Sequence, residues 1–144
     1  MLVQQILRSK ADDKVMTVSP DMTIGDAAAM LSEKRIGSLV VSSDGVHAEG
    51  ILSERDIVRE VGRRGSVCLT DQLSQIMTRA LVTCTSSETA DGVLQKMTDG
   101  RFRHLPVVEE GRMIGLISIG DVVKARLSEL EVEKSALEGM IMGY

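Results

Sequence analysis

The sequence predicts an α+β fold made of two β-α-β-β-α repeats packed with pseudo-twofold symmetry, followed by a long C-terminal helix. Three observations predict it: one motif occurs twice, identities recur at constant spacing, and both halves show the same order of strand and helix patterns. Units of this size cannot bury their own apolar faces, so each copy must dock against a neighbour. We therefore expect the two copies to form one domain.

The duplicated motif is Gly-apolar-apolar-Ser-x-x-Asp, which occurs at residues 50–56 and 115–121, 65 positions apart (115 − 50). Upstream of it, identities recur 66 positions apart. An ordered series of this kind indicates an internal duplication. The pairs are Thr17 and Thr83, Thr23 and Thr89, Arg35 and Arg101, Leu39 and Leu105, Val41 and Val107, and Gly45 and Gly111.

The first repeat has the pattern strand, helix, strand, strand, helix. Thr23 predicts the start of the first helix, and Gly37 predicts its end. Asp44 and Gly45 form a dipeptide typical of a tight hairpin between the two later strands. Ser53 begins the second helix. The strands are predicted at 15–18, 38–42 and 48–52, and the second helix ends near residue 64.

The second repeat has the same order, with Glu110 and Gly111 at its hairpin turn and Ser118 at the start of its last helix. Short amphipathic segments at 2–7 and 71–77 precede the repeats and are predicted to be counterparts. The strands are predicted at 81–84, 105–108 and 113–117, and the first helix at 89–99. The predicted domains are 8–65, 71–128 and a helical extension, 129–144.

The last helix is too long for its own repeat and has an apolar stripe. Residues at alternating spacings of four and three form a heptad seam, which predicts a helical partner and therefore a homodimer. The alternative is a helix that packs back on its own sheets. The seam consists of Val123, Leu127, Leu130, Lys134, Leu137 and Ile141.

Composition restricts the classes of function. The net charge of −4 gives no broad basic field for nucleic acid or an anionic membrane, although local basic pockets stay compatible with it. Phe102 and Tyr144 are the only aromatics, too few for the stacking platforms that bind single strands. No apolar run reaches the roughly 20 residues that span a bilayer. Cys68 and Cys84 form no CxxC pair, and the start lacks a signal-peptide pattern, so we expect free thiols in a cytoplasmic protein.

Residue spacing gives no support for an enzyme. Gly115 and Gly120 have the spacing of a phosphate loop, but Asp121 follows where that loop needs Lys. There is no GxGxxG motif, and the His and Cys residues show no zinc-ligand spacing. We therefore predict no catalytic residues and no metal. A small nucleotide hydrolase is the remaining enzymatic alternative.

The duplicated motif resembles the cystathionine-β-synthase (CBS) domain, whose paired form is the Bateman module. The resemblance covers about residues 15–126 and is similar to a stand-alone bacterial subfamily in the stretches Gly-Arg-Phe-Arg-His-Leu-Pro-Val (100–107) and Ile-Ser-Ile-Gly-Asp-Val-Val-Lys-Ala-Arg (117–126). It implies a regulatory module with two clefts between the repeats. Such clefts hold adenosine-containing ligands such as AMP, ATP, NAD or S-adenosylmethionine, and two chains often associate.

The aspartates of the motif have the chemistry for this ligand class. An acceptor-only carboxylate suits the two hydroxyls of a ribose, which favours Asp56 and Asp121. Ser53 and Ser118 begin their helices, where a hydroxyl and unpaired amides can meet a phosphate. The alternative is that each Ser-x-x-Asp is only a capping box, which closes the start of a helix. Its occurrence in two matching units favours a nucleotide site, and both roles are compatible.

The resemblance also implies which residues complete the two clefts. The second cleft would use Asp121, Ser118, Arg103 and His104 as polar contacts, with Val15 and Met16 as an apolar wall for adenine. The mirror cleft would use Asp56, Ser53, Ser38, Leu81 and Val82. Gly37 and Ser38 stand where the second repeat has Arg103 and His104, so the first cleft has no charge there.

The sequence therefore predicts a non-catalytic sensor of AMP, ATP or NAD that acts by linkage between ligand occupancy and conformation. Its partners would be the nucleotide, a second copy of the chain and an unidentified effector protein. The alternative is a protein-interaction or scaffold module in which the Ser-x-x-Asp motifs are only caps and the terminal helix recruits a partner.

Overall fold

The computed structural model describes residues 1–10 and 15–141. Residues 11–14 of the predicted first repeat and 142–144 of the predicted extension lie outside the described residues. The prediction of an α+β fold with a long last helix is confirmed. In chain order the elements are α1 (Val3–Ser9), β1 (Thr17–Val18), α2 (Ile24–Lys34), β2 (Ser38–Val41), β3 (Gly50–Ser53), α3 (Glu54–Arg64), the 3-10 turns Ser66–Thr70 and Leu73–Gln75, α4 (Ala90–Gly100), β4 (His104–Glu109), β5 (Arg112–Ser118) and α5 (Ile119–Ile141).

The chain divides into two compact units. The first-repeat unit consists of Lys14–Val82 and Glu109–Ile114. The second-repeat unit consists of Met1–Asp13, Thr83–Val108 and Gly115–Tyr144. Helix α1, although first in the chain, therefore belongs with the second repeat.

The segments 1–10 and 71–80, which we call the lead segments, make the same contacts in their units. Leu2 forms an isolated antiparallel bridge with Thr89, and Gln72 forms one with Thr23. The two segments therefore align 70 positions apart (72 − 2). In each case the bridge lies at the start of the first helix of the repeat, where backbone amides lack partners within the helix. The prediction that the two segments are counterparts is confirmed.

The first-repeat unit contains a three-stranded sheet in the order β1-β2-β3. Strand β1 is parallel to β2, and β2 is antiparallel to β3. The inward residues of the sheet pack against α2, α3 and the lead segment. This core contains Val18, Ile24, Ala27, Leu31, Leu39, Val41, Leu52, Ile57, Leu73 and Met77.

The second-repeat unit contains the paired strands β4 and β5. The strand predicted at 81–84 is wrong in extent, because only Cys84 pairs there, as a parallel bridge to Val107. The backbone of Cys84 nevertheless makes both hydrogen bonds of this bridge. Its N–H donates to Pro106 O at 3.0 Å, and its carbonyl oxygen accepts from Val108 N at 2.8 Å. The buried apolar residues include Val3, Ile6, Val93, Met97, Leu105, Ile117 and Val122.

Two local predictions for the first repeat are corrected by the structure. Helix α2 ends at Lys34, and its C-cap Arg35 takes the left-handed conformation with φ 54°, so the helix stops before Gly37. Residues 42–49 connect β2 to β3 in place of a tight two-residue turn. The Asp44 carboxylate organises this loop by accepting hydrogen bonds from the amides of Val46 and His47, both at 2.8 Å. The hydrogen bonds from His47 and Val46 hold the pKa of Asp44 well below its usual value.

Helix α5 is the longest helix among the described residues, with 23 residues. Only Val122 and Ala125 of α5 are buried in its unit. None of the described helices combines the length and the apolar character that crossing a bilayer requires.

Candidate functional site

Each Ser-x-x-Asp motif begins a helix with the same hydrogen bonds. Ser53 Oγ accepts from Asp56 N at 3.2 Å, and Asp56 Oδ2 accepts from Ser53 N at 2.9 Å. Ser118 Oγ accepts from Asp121 N at 3.1 Å, and Asp121 Oδ2 accepts from Ser118 N at 2.9 Å. Both motifs are therefore reciprocal caps of the capping-box type. The caps fix one oxygen of each carboxylate.

The segment that precedes the hairpin lies beside the motif in each unit. Glu54 N donates to Gly37 O at 3.0 Å in the first-repeat unit. Ile119 N donates to Arg103 O at 2.8 Å in the second-repeat unit. Ser38 is the direct cross-strand partner of Ser53. The structure therefore brings these predicted residues next to their motifs.

The other predicted residues differ in exposure. The Arg103 side chain is exposed, and His104 is half-buried at the start of β4. Val15 and Met16 precede β1 in the first-repeat unit, and Met16 is exposed. The remaining two, Leu81 and Val82, are half-buried and follow the lead segment of the same unit.

The glycine of each motif allows a lead segment to approach closely. A Cβ at Gly50 would lie 2.6 Å from Sδ of Met77, and one at Gly115 would lie 2.8 Å from Cδ2 of Leu7. Real Cβ atoms do not come this near to another atom, so a side chain here would displace the lead segment. The duplicated glycine is therefore explained by packing.

The two aspartates differ in their cationic neighbours. Lys10 Nζ lies 2.9 Å from Asp121 Oδ2 and donates to Leu116 O at 2.8 Å. The corresponding position of the other lead segment, 70 residues on, is Ala80 (10 + 70). Asp56 is instead approached by Arg59, whose Nη1 lies 3.4 Å from Oδ1.

These contacts set the ionisation of Asp121. Partial burial alone would raise the pKa of this carboxyl, but hydrogen bonds from Ser118 N and Lys10 Nζ outweigh it and lower the pKa below its usual value. Asp121 is therefore an anion at neutral pH. The cap and Lys10 contacts converge on Oδ2, so Oδ1 is the oxygen that they do not use.

The Oγ of Ser38 is buried and, among the described residues, has no hydrogen-bond partner. Buried hydroxyls normally find a partner in the protein, an ordered water or a ligand. The hydroxyl of Ser42, on the same segment and also buried, donates to Asp44 Oδ1 at 3.0 Å.

Sequence reasoning missed a groove that borders Asp56. It has a volume of about 310 Å³ and is lined by residues of one face of α3 together with two residues of the lead segment. Three of its lining residues are arginines. The signal for it in the sequence is their helical spacing after the motif. The lining residues are Asp56, Arg59, Glu60, Arg63, Arg64, Gln75 and Ile76.

The described residues offer no metal centre, and the thiol of Cys84 is not activated. No group of three or more His, Cys, Asp or Glu side chains that could hold a metal ion occurs within 1–10 and 15–141. Burial, with a contribution from Glu88, raises the pKa of the Cys84 thiol to about 12, so this thiol stays protonated. Cys68 is also buried.

The family model for the CBS domain matches residues 3–63 and 73–128. Two motif-bearing repeats, each matched by the model, define a pair of CBS domains. This chain belongs to the CBS-domain family. The family resemblance given by the sequence is thereby confirmed.

Similar proteins cover most of the chain. The mitochondrial CBS domain-containing protein CBSX3 of Arabidopsis thaliana is 34% identical over 98% of this chain and 72% of its own length. The CBS-domain protein ATU1752 from Agrobacterium tumefaciens has a solved structure with 44% identity and a TM-score of 0.83, covering 88% of this chain and 99% of that one. The chain spans less than a quarter of two other Arabidopsis thaliana relatives, at 23% and 22% of their length.

One solved relative was crystallised with ligands. The CBS domain pair of protein MJ0100, in complex with 5′-methylthioadenosine and S-adenosyl-L-methionine, is 25% identical, with a TM-score of 0.76. The match covers 90% of this chain and 98% of that one. Both ligands named for that protein contain an adenosine group.

Proposed function

We propose that this chain is a non-catalytic regulatory module that binds an adenine nucleotide, AMP, ATP or NAD, at its Ser-x-x-Asp motifs. The observation that carries the proposal is the Asp121 carboxylate, ionised at the start of α5 with Oδ1 outside its cap contacts. An acceptor-only anion held in this way suits the hydroxyls of a ribose. The adenosine-containing ligands of the MJ0100 pair support the same ligand class.

The two units offer different contacts to such a ligand. In the second-repeat unit, Arg103 lies beside the motif and carries a planar guanidinium that suits a phosphate. In the first-repeat unit, Ser38 lies across from Ser53 and has the unpaired hydroxyl. We infer that both motifs bind, with Asp121 and Asp56 as the ribose acceptors.

The proposed output is linkage. A ligand shifts a conformational equilibrium only by its difference in affinity for the two states, and needs no turnover. A ligand at about 100 times its Kd adds roughly 2.7 kcal/mol to the free energy of unfolding. Binding should therefore raise the thermal midpoint measurably.

We further infer that two copies associate through α5. Its heptad seam is not covered within the described residues: the exposed fractions are 42% for Val123, 62% for Leu127, 48% for Leu130, 60% for Leu137 and 85% for Ile141. A seam of apolar side chains at alternating three and four spacing packs well against a second helix. Dimer formation would bury it.

The test is calorimetric titration of nucleotide-stripped protein with AMP, ATP, NAD and S-adenosylmethionine. Asp121→Asn and Asp56→Asn should each remove a binding site, because an amide carries no charge and offers one acceptor oxygen. Asp26→Asn is the matched control, since Asp26 holds the same position after the Thr23 cap of α2.

Circular dichroism and thermal melts of every variant establish that it is folded. If no nucleotide binds the folded wild-type protein, the sensor proposal is wrong and the motifs are caps of a scaffold module. If the Asp26→Asn variant loses binding as strongly as Asp121→Asn, the carboxylate of the motif is not the ribose acceptor.

A further inference from the structure

The groove beside Asp56 is built on one face of α3. Its α3 residues occupy positions 56, 59, 60, 63 and 64, the i, i+3, i+4, i+7 and i+8 spacing that places side chains on one helical face. Gln75 and Ile76 of the lead segment line the other side. All of these residues belong to the first-repeat unit.

A buried carboxylate fixes two of the three arginines. Glu60 is the buried acidic residue of the described chain, with 7% of its surface exposed. It accepts from Arg63 Nη2 at 2.8 Å and from Arg64 Nε. The hydrogen bond from Arg63 is the main cause that holds the pKa of Glu60 below its usual value. A buried carboxylate is unfavourable unless it is paired. Arg63 and Arg64 provide that pairing, and Glu60 in turn orients their guanidinium groups.

The arginines keep donors for a ligand. Each guanidinium has five N–H donors, and the pairs with Glu60, Asp56 and Asp71 use few of them. The side chains of Arg59 and Arg63 line the groove and are 72% and 70% exposed, so their remaining donors are accessible to a ligand from solvent. Arg64 is held more firmly, because its Nη2 lies 2.8 Å from Asp71 Oδ2.

The Ser53 hydroxyl is engaged in the helix cap, so the arginines of α3 are the donors available to a phosphate beside Asp56. Ser53 Oγ accepts from Asp56 N and also donates to Asp56 Oδ2 at 3.0 Å. Its hydroxyl proton is therefore engaged within the cap. A phosphate beside Asp56 would need another donor, and Arg59 is one turn further along α3.

The second-repeat unit lacks this arrangement. The positions of α5 that correspond to Arg59, Arg63 and Arg64, 65 residues on, are Lys124, Ser128 and Glu129. The helix face that carries three arginines in the first-repeat unit therefore carries one lysine, one serine and one glutamate in the second-repeat unit. These helix residues place more positive charge beside the first motif, whereas Gly37 and Arg103 predict more positive charge beside the second.

We propose that the groove holds the phosphate chain of a nucleoside di- or triphosphate whose ribose is bound by Asp56. This inference rests on the proposed function and names the ligand class of the first site. Residues 56 and 63 are separated by about 10 Å along the helix axis, a length that a triphosphate chain can span. Arg59 and Arg63 bind its phosphates, and Glu60 is a positioning residue.

The experiment titrates adenosine, AMP, ADP and ATP into the Asp121→Asn protein, in which the second site is disabled. The parent should bind ATP more tightly than AMP. Arg63→Gln and Arg59→Gln should each weaken ATP by about ten- to a hundredfold, the range for lost hydrogen bonds to a charged group. Arg63→Gln should leave adenosine unchanged, because Arg63 pairs with Glu60 and not with Asp56. Arg55→Gln is the control, because Arg55 is exposed on α3 and does not line the groove.

The outcomes separate the two proposals. If no ligand of the series binds wild-type protein, the nucleotide function itself fails. If adenosine and ATP bind the Asp121→Asn protein equally, or if Arg55→Gln weakens ATP as much as Arg63→Gln, the groove is not a phosphate site and the inference is overturned. Arg59→Gln breaks only the 3.4 Å contact with Asp56, so it tests the proposal even if Arg63→Gln is poorly folded.

Discussion

Lys10 Nζ lies 2.9 Å from Oδ2 of Asp121, and this contact joins the lead segment of the second-repeat unit to the start of α5. The pair is about three-quarters buried, with side-chain exposures of 29% and 24%. It distinguishes the two motifs, because the first-repeat unit has Ala80 at the corresponding position. The lysine both neutralises the carboxylate and ties it to Leu116 O.

Lys10→Met should lower the free energy of unfolding by about 0.5–1.5 kcal/mol at neutral pH, since it removes a partly screened ion pair and a hydrogen bond to a carbonyl. Lys124→Met is the control, because Lys124 is exposed on α5, the helix that contains Asp121. Urea denaturation of both variants measures the difference. Equal losses would show that the Lys10 contact contributes nothing specific.

The contribution of Asp121 to stability should depend on pH. Its pKa is lowered in the folded state, so the stabilisation is present above the unfolded pKa of about 3.9 and is lost as the pH falls through the folded value. The difference between wild type and Lys10→Met should therefore be constant from about pH 5 to 7 and should shrink below about pH 4. Denaturation curves across this range check it, and a difference that grows in acid would contradict it.

Gly115→Ala should lower stability by about 1–3 kcal/mol, because the new Cβ would overlap Leu7 and force the lead segment to move. Gly50→Ala should do the same through Met77. Gly62→Ala is the matched control within α3, where nothing lies within 4 Å of the added methyl group; it should be neutral or stabilising by up to about 1 kcal/mol. Thermal melts of the three variants compare them.

A double variant tests whether overlap with Leu7 causes the loss of stability predicted for Gly115→Ala. In the Leu7→Ala background, Gly115→Ala should cost less than in the wild type, since the atom that it would overlap is absent. A coupling energy near zero in this cycle would exclude Leu7 as the source of the destabilisation.

The duplicated motif illustrates how far sequence reasoning reaches. The spacing of Ser53 to Asp56 and of Ser118 to Asp121 predicts both helix starts, because the cap is a local interaction within four residues. The partner of each lead segment is not predictable in this way. Leu2 pairs with Thr89, and repetition in the sequence does not say which copy a segment joins.

The failures have local physical causes. Gly37 predicts the end of the helix because glycine adopts a positive φ without strain, but Arg35 takes that conformation instead. The strand at 81–84 shrinks to the single bridge at Cys84, since apolar residues favour burial without specifying a ladder. The arginine groove was missed because charged residues on a helix usually form a solvated face. The buried position of Glu60 is what distinguishes this face of α3 from an ordinary solvated face.

Ser38→Ala and Ser42→Ala should differ in their effect on stability, although both hydroxyls are buried. Ser42 donates to Asp44 Oδ1 and accepts from Gly45 N at 2.9 Å, so its loss should cost about 1 kcal/mol. Ser38 Oγ has no partner among the described residues, so replacing it removes an unsatisfied polar group and should be neutral or slightly stabilising. Chemical denaturation of ligand-free protein measures both. A loss near 1 kcal/mol for Ser38→Ala would mean that an ordered water pairs with it.

The seam of α5 gives the last prediction. Leu130→Asp combined with Leu137→Asp should weaken dimerisation by at least about a hundredfold, since burial of a leucine contributes about 1.5–3 kcal/mol. Ser128→Asp combined with Ser135→Asp is the control, because these exposed residues lie on the same helix away from the seam and add the same charge. Sedimentation should show a dimer for wild type and control, and a monomer for the seam variant.

The lysine in the seam allows the opposite change. Lys134 is 70% exposed, and its Nζ lies 3.9 Å from Oε1 of Glu138. Burial of this ammonium against a second helix would lower the stability of the dimer, so Lys134→Leu should tighten association. If the seam is instead covered by an effector protein, the wild type would be monomeric and neither change would alter sedimentation. A dimer that survives the two aspartates would assign the contact to another surface.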